Sequence, residues 1–481
     1  MLRTKKHLGK YEMIGMIFAL AWPTMLEQLM QAAVQYVDTA MVGGLGTDAT
    51  AAVGATTTIS WLLMGSLSAL GVGFLAYIAK AYGAKEYARA ARASGQAVLV
   101  VLVMGSLFTA LTVGFSRQIP VWMQVDPSVR DLTTRYFFIL YLPMLPRAAT
   151  IIFSTVLRAV GDTKTPMRTG LLINFINVVL NFLLIYPFRT LSIWNMTIPI
   201  PGAGLGVEGA AMASAAAFLI GSISITAALW KHPVISPRGQ KLSPDMEVLR
   251  PCLQVALPNM LQRFGTYMGY VVAATMINAL GGIATAAHTI ANTVESLFYI
   301  PGYGMQTAAA MLAGNALGAR DKKRMRSIGR TLIPIVIVLM TVSGGLLFAF
   351  AEPLMKLFSS QTEVIHLGTT VLRIVAVTEP FFGVSIIIEG MMQGVGKTGT
   401  PFVYNIIGMW FIRIVGIFLC TRVWGFGFVS TWVCMIAHNL LLFCMFMVHY
   451  LRGKWDPLRT ESSCSYKCHM RLSDNKTEGG L

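Results

Sequence analysis

Apolar residues run in twelve long stretches along this 481-residue chain, and most polar residues fall between them. The stretches cover roughly 13–42, 50–79, 94–116, 132–157, 169–188, 206–230, 251–280, 284–317, 331–350, 364–393, 402–421 and 427–450. About 20 apolar residues cross a bilayer as a helix, so each stretch predicts one span; the longer ones predict tilt or bending. Pro23, Pro143, Pro146, Pro258, Pro301 and Pro380 lie inside the stretches. A proline removes one backbone bond and kinks a helix, which in a membrane marks a hinge or a local opening. No stretch alternates like the ten-residue strands of a β-barrel. The pattern predicts an all-α polytopic membrane protein with twelve transmembrane helices.

The chain also repeats itself at an offset of 235 residues. Ala21-Trp22-Pro23-Thr24-Met25-Leu26 lies over Ala256-Leu257-Pro258-Asn259-Met260-Leu261, and Ala49-Thr50-Ala51-Ala52 over Ala284-Thr285-Ala286-Ala287. Ala81-Tyr82-Gly83-Ala84 lies over Ala316-Leu317-Gly318-Ala319, and Val160-Gly161 with Thr165-Pro166 over Val395-Gly396 with Thr400-Pro401. Only the loop before span 6 breaks the register: Gly204-Leu205-Gly206 matches Gly425-Phe426-Gly427 at 221. Each half holds six spans. An even number sets both halves the same way up, so they are expected to form two six-helix lobes related by a pseudo-two-fold along the membrane normal. The expected division is an N-terminal segment at 1–12, a first lobe at 13–231, a linker at 232–250, a second lobe at 251–451 and a polar tail at 452–481. Two such lobes across a cleft suit alternating access, with substrate in the cleft.

The polar residues inside the spans are the exceptions that need a reason. On span 1, Glu27, Gln31, Gln35 and Asp38 stand at i, i+4, i+8 and i+11, one face of one helix. An Asp at the bilayer centre costs roughly 2.5–3.5 kcal/mol on insertion scales, so the stripe must face protein or water. The repeat acts as a control. Asp38 maps to Ala273, Glu27 to Gln262, Gln31 to Thr266 and Gln35 to Tyr270, so the shared fold does not need the acids. Span 5 adds Asn174, Asn177 and Asn181 on one face, with Met409, Ile412 and Gly416 as counterparts. Their amide oxygens and the Asp38 carboxylate make a candidate oxygen site for a small cation, or a network around a protonatable Asp. Glu27, Gln31, Gln35, Gln262, Glu295 and Glu379 are candidates for lining the substrate cleft. His288 and His438 read as packing residues, and Glu389 either as a further acid that meets cationic substrate or as a solvated helix end.

Charge changes the picture by orienting it. The net charge is +17, but only 12% of residues are charged, against about 25% in soluble domains. Of 38 Lys and Arg, 28 fall in the segments that are inside if both termini are cytoplasmic, and about 5 in the outer loops. The positive-inside rule then predicts cytoplasmic termini in a cell inner (plasma) membrane. The basic excess is a topology signal facing anionic lipid headgroups rather than nucleic acid. Residues 1–10 lead into an apolar run too long for a cleavable signal. Four of the six cysteines lie in apolar segments; Cys464, Cys468 and His469 in the tail are too few for a metal site. No catalytic motif or Walker loop is found, so no enzyme and no cofactor is expected.

The motif set resembles the multidrug and toxic compound extrusion (MATE) family, of the bacterial NorM- or DinF-like type. The carrying residues are Ala21-Trp22-Pro23, Val37-Asp38-Thr39-Ala40-Met41-Val42-Gly43, Gly83-Ala84-Lys85-Glu86, Leu157 to Pro166, and Gly206-x2-Gly209-Ala210-Ala211-x-Ala213-Ser214. The resemblance covers residues about 10 to 452. It implies an antiporter, acting as a monomer, that exports amphipathic organic cations against Na⁺ or H⁺. It places the first-lobe cation site on Asp38, Asn177, Asn181 and Ser214, with Asp38 as metal ligand if the ion is Na⁺. Some members have Asp where Asn181 stands and Thr where Ser214 stands. NorM-like acids of spans 7 and 10 have no match here, where Phe264-Gly265-Thr266 and Phe381-Phe382-Gly383 stand. The alternative reading is a flippase or exporter of a lipid-linked or metabolite substrate, using Arg263 and Arg413 as cationic groups.

Overall fold

The computed structural model describes residues 10–193 and 196–459. The tail residues Cys464, Cys468 and His469 and the side chain of Gln35 lie outside the described residues. Helices account for the spans in order. Span 1 is Lys10–Gly43, span 2 Thr47–Gly83 and span 3 Tyr87–Gly114. Span 4 is Arg130–Tyr141 with Met144–Ala159, span 5 Lys164–Leu184 and span 6 Gly206–Lys231. The second half follows with span 7, Met246–Asn278, and span 8, Gly282–Phe298 with Ile300–Gly318. Span 9 is Lys322–Phe358, span 10 Thr362–Ala376 with Glu379–Gly394, span 11 Gly399–Val423 and span 12 Phe428–Leu451.

Eight of these helices are singly long and apolar enough to cross a membrane. Two more spans are bent pairs, span 4 by 48° and span 10 by 55°. Prolines account for the breaks. Pro143 stands in the gap of span 4, and Pro301 and Pro380 take the first turn of the second helix in spans 8 and 10. That is the helical position where a missing N–H costs nothing. Pro23 and Pro258, by contrast, sit inside continuous helices.

The repeat reaches the backbone angles. The corners at Gly46 and Gly281 have φ of +116° and +110°, Gly161 and Gly396 +91° and +82°, Lys85 and Arg320 +62° and +51°. Gly204 and Gly425, related by the shifted offset of 221, have +66° and +68°. A left-handed backbone is rare outside glycine, so matched occurrences at matched positions mark the same turn built twice. The shift itself has a cause. Between spans 5 and 6 the chain forms an antiparallel hairpin, β1 Pro187–Ile193 and β2 Met196–Ala203. The offsets 235 and 221 differ by 14 residues, and the hairpin lies where the second half has only a short turn. The sequence pattern marked this stretch as a loop.

Packing divides the chain into two units. One comprises Leu20–Leu75 and Tyr87–Tyr267. Within it span 5 packs on span 6, and span 4 on spans 3 and 6, around Phe137, Tyr141, Met144 and Ile152. The division falls inside span 7, because the start of that helix and the segment before it are fastened here. Gln96 donates to the Ser243 carbonyl at 2.9 Å and accepts from the Asp245 N–H at 3.0 Å; Arg92 pairs with Asp245 at 3.3 Å. A Cβ on Gly73 would lie 2.3 Å from the Cys252 carbonyl oxygen, so span 2 meets span 7 backbone to backbone. His232 closes the turn after span 6, its Nδ1 accepting from the N–H groups of Val234 and Ile235. Burial holds this imidazole below its ordinary range, with the Asp162 carboxylate opposing the shift.

The other unit comprises Met1–Ala19, Ala76–Glu86 and Met268–Leu481. Its core joins spans 8, 9, 10 and 12 around Leu347, Met355, Leu372 and Trp432. Small residues let the helices touch. A Cβ on Gly83 would lie 2.1 Å from the Asn315 carbonyl oxygen, and one on Gly318 would lie 1.9 Å from the Lys80 carbonyl oxygen. Gly83 and Gly318 are repeat partners, and so are Lys80 and Asn315.

Candidate functional site

Span 5 brings its asparagines to span 6 on one side and to Asp38 of span 1 on the other. Asn181 donates through Nδ2 to the Asp38 carboxylate. The same nitrogen donates to Asn177 Oδ1 at 3.2 Å, and Asn177 Nδ2 donates to Ser214 Oγ at 3.0 Å. Asp38, Asn181, Asn177 and Ser214 thus form one connected chain across three spans. Asn177 and Asn181 are buried, while Asp38 and Ser214 are half-buried. Asn181 Oδ1 is buried with no hydrogen-bond partner among the described residues. A buried amide oxygen left unmatched costs roughly 1–3 kcal/mol. Asn174, on the same face, does not join; its buried Nδ2 has no partner among the described residues.

The rest of the stripe parts company with Asp38. Glu27 turns to Arg158 at the end of span 4, whose Nη2 lies 2.7 Å from both carboxylate oxygens. Gln31 is exposed. Gln262 is buried in span 7. Tyr136 stands within electrostatic reach of Asp38, and on its other contacts within reach of Tyr141 and Arg147. Arg147 is buried, with its guanidinium 4.2 Å from the Phe218 ring centre, and Ser60 hydrogen-bonds Tyr141.

The second half holds a different cluster. Glu295 and Glu379 are each 2% exposed, and one oxygen of each has no hydrogen-bond partner among the described residues. The Tyr299 hydroxyl donates to Glu295, and Arg413 lies close enough to oppose its charge. Arg413 is buried with its guanidinium 5.0 Å from the Tyr270 ring centre. It projects from a π-helical stretch, Ile407–Ile414, a wide turn that often accompanies functional positions. His288 packs edge-on against Trp432 at 5.8 Å, and Glu389 accepts from Gln393 at 3.0 Å.

Sequence reasoning missed three features. It counted Arg158 with the loop cations, although it is the partner of Glu27. It did not join Glu295 to Tyr299 and Arg413, which lie far apart in the chain. It did not see the π turns, which no local spacing announces. An open cavity of about 610 Å³ beside Arg117, Asp131, Arg135 and Glu208 contains none of the candidate residues.

The donors around Asp38 are one carboxylate, two amide oxygens and a hydroxyl. No group of three His, Cys, Asp or Glu suited to a transition metal occurs among the described residues. A single charge and neutral oxygens suit a proton or a weakly held monovalent cation.

A family profile, MatE, matches residues 23–183 and 258–419, one block in each half. The chain is 25% identical over 440 residues to a probable multidrug resistance protein NorM of Thermotoga maritima, covering 92% of each chain. It is 25% identical over 418 residues to a probable multidrug resistance protein YoeA of Bacillus subtilis, covering 85% of this chain and 88% of that one. Its fold is similar to that of a multidrug resistance MATE family transporter of the MOP superfamily in an outward-facing conformation. The TM-score is 0.83 at 21% identity, over 92% of this chain and 96% of that one.

Proposed function

Because the chain belongs to the MatE family, the multidrug and toxic compound extrusion transporters, we propose that it is an antiporter, driven by H⁺ or Na⁺, that exports amphipathic organic cations by alternating access. Asp38 is the coupling residue in this reading. The observation that supports it most is the unmatched Asn181 Oδ1 beside an Asp38 that accepts from Nδ2 of the same amide. An ionised Asp38 needs a donor, and a protonated Asp38 needs an acceptor. The Asn181 amide offers both and changes from one to the other by turning over. A bound Na⁺ would take the same oxygens: Asp38, Asn181 Oδ1 and Ser214 Oγ. Loading the site therefore rewrites the contacts between spans 1 and 5, and an ion drives a conformational change only through such a difference between states.

The buried carboxylates Glu295 and Glu379 would attract the positive group of the substrate. Of the two cations on which a lipid-pyrophosphate exporter would depend, Arg413 is buried against Tyr270, and Arg263 donates through Nε to Asn259 at 3.1 Å. The distribution of Lys and Arg supports cytoplasmic termini in the plasma membrane, facing anionic lipids, and the protein is taken to act as a monomer.

The test is transport of a fluorescent organic cation into proteoliposomes, under a pH gradient and a Na⁺ gradient applied separately. Wild type should respond to one of them. Asp38→Asn should abolish that response, and gradient-driven transport surviving in Asp38→Asn would remove Asp38 from the mechanism.

A further inference from the structure

The repeat sets polar groups of the first half against their counterparts, and one ion pair that is lost there is also buried. Glu27 and Arg158 are joined in the first half, with both carboxylate oxygens 2.7 Å from Arg158 Nη2. Their counterparts are Gln262 and Gln393, so both charges are absent from the second half together. Side-chain exposure is 9% for Glu27 and 18% for Arg158. A buried ion pair adds little net stability over a well-packed neutral replacement, because desolvation offsets the attraction. Stability alone leaves the charges unexplained.

Three contacts join span 1 to span 5 along the helix that carries Glu27. Span 5 meets span 1 at Gly170, where an added Cβ would lie 3.1 Å from Glu27 Cγ. It meets it again at Asn181 on Asp38, and just past its end the Tyr186 hydroxyl donates to the Met41 carbonyl at 3.1 Å. The sequence separations are 143, 143 and 145. Near-constant separation means that the two helices run parallel and in step. At 1.5 Å per residue, Glu27 and Asp38 stand roughly 16 Å apart along this seam. At the Asp38 end the fastening is an amide whose bonds change when an ion loads or leaves. At the Glu27 end it is a charge pair supplied from span 4, independent of that exchange.

We propose that Glu27 and Arg158 are a positioning pair: they hold span 1 in register with span 5, and so set the geometry at which Asp38 meets Asn181 and the affinity of Asp38 for the coupling ion. The proposal rests on the coupling role of Asp38 given above.

The rival is an ion pair that only supports folding. Glu27→Gln combined with Arg158→Gln separates the two, because it installs the residues of the second half and leaves no unpaired charge. Gly170→Ala is a second variant that keeps both charges and presses a methyl group against Glu27. For each, the half-maximal concentration of the coupling ion is measured in proteoliposome transport of a fluorescent cation, beside equilibrium binding of that dye and the thermal midpoint. Both variants should bind the dye within about twofold of wild type, and both should shift the half-maximal ion concentration at least threefold, a change of about 0.65 kcal/mol. Charge reversal, Glu27→Arg with Arg158→Glu, should bring it back toward wild type. Unshifted ion dependence in the double Gln variant and in Gly170→Ala, whatever their thermal midpoints, overturns the proposal. If Asp38→Asn loses ion dependence while these variants keep the wild-type value, only the positioning role falls. If Asp38→Asn itself stays ion-dependent, the coupling reading falls and takes this one with it.

Discussion

Two polar clusters occupy the same repeated scaffold and could hardly be less alike. In the first half a single carboxylate, Asp38, accepts from the Asn181 amide, which leads through Asn177 to the Ser214 hydroxyl. In the second half two carboxylates, Glu295 and Glu379, are buried with an arginine in reach. The sets exclude each other: Asp38 stands over Ala273 and Asn181 over Gly416, while Glu295 stands over Ser60 and Arg413 over Val178. The frame requires neither. On the reading proposed above, a carboxylate bonded to a neutral amide takes its positive partner from outside the protein, as a proton or a passing ion. A carboxylate with an internal arginine already has one. On the same reading the first cluster would serve exchange, and the second would present a fixed field.

The largest expected contrast is between Asp38→Asn and Glu295→Gln. Asp38→Asn should abolish the ion response, because an amide can neither release a proton nor balance a cation. Glu295→Gln should instead weaken substrate, raising its KM several-fold while the half-maximal ion concentration stays put. Equal shifts of ion dependence in both variants would erase the distinction. Next come the glycines that belong to the frame rather than to either cluster. Gly83→Ala and Gly318→Ala should each destabilise by about 1–3 kcal/mol, the usual cost of overpacking, and by similar amounts. Thermal midpoints in detergent check this, and a large inequality would break the equivalence of the halves.

Smaller effects sharpen the first cluster from within. Asn181→Ala should raise the half-maximal ion concentration by about tenfold, and Ser214→Ala by about twofold to threefold, because Ser214 acts only through Asn177. A reversed order would move the centre of the site toward span 6. Smallest of all should be replacement of the hairpin by the short turn of the second half. Trp424 to Gly427 already joins spans 11 and 12 without it, so transport should change less than about twofold.

How much of this was legible from residues depends on distance along the chain. The spans were legible because helix-length apolar runs are continuous, and the repeat because one offset recurs. Asn177 and Asn181 could be placed together because a spacing of four puts two side chains on one helical face. Their meeting with Asp38 depends on which helix faces oppose, which spacing alone does not fix; the family resemblance points to it, and to Ser214. Glu27 and Arg158 are 131 residues apart, and no periodicity links them. Arg158 lies at the end of a span, where a cation reads as topology. The π turns that carry Arg413 lie against span 12, where a Cβ on Gly408 would sit 2.4 Å from the His438 ring, and no local spacing announces them. The hairpin left one trace, the 14-residue break in register, whose size gave its length but not its form.

The reciprocal contact of Gly83 with Asn315 and of Gly318 with Lys80 carries a historical implication. In a two-fold interface between identical chains, residue i touches residue j of the neighbour, and j touches i in return. The same bookkeeping holds here inside one polypeptide. A chain of half this length would have made the contact with a second copy of itself, and one mutation at its glycine would have struck the interface twice. Duplication and fusion halve that sensitivity. They also release each copy to change alone, which is the freedom that two dissimilar clusters on matching helices require.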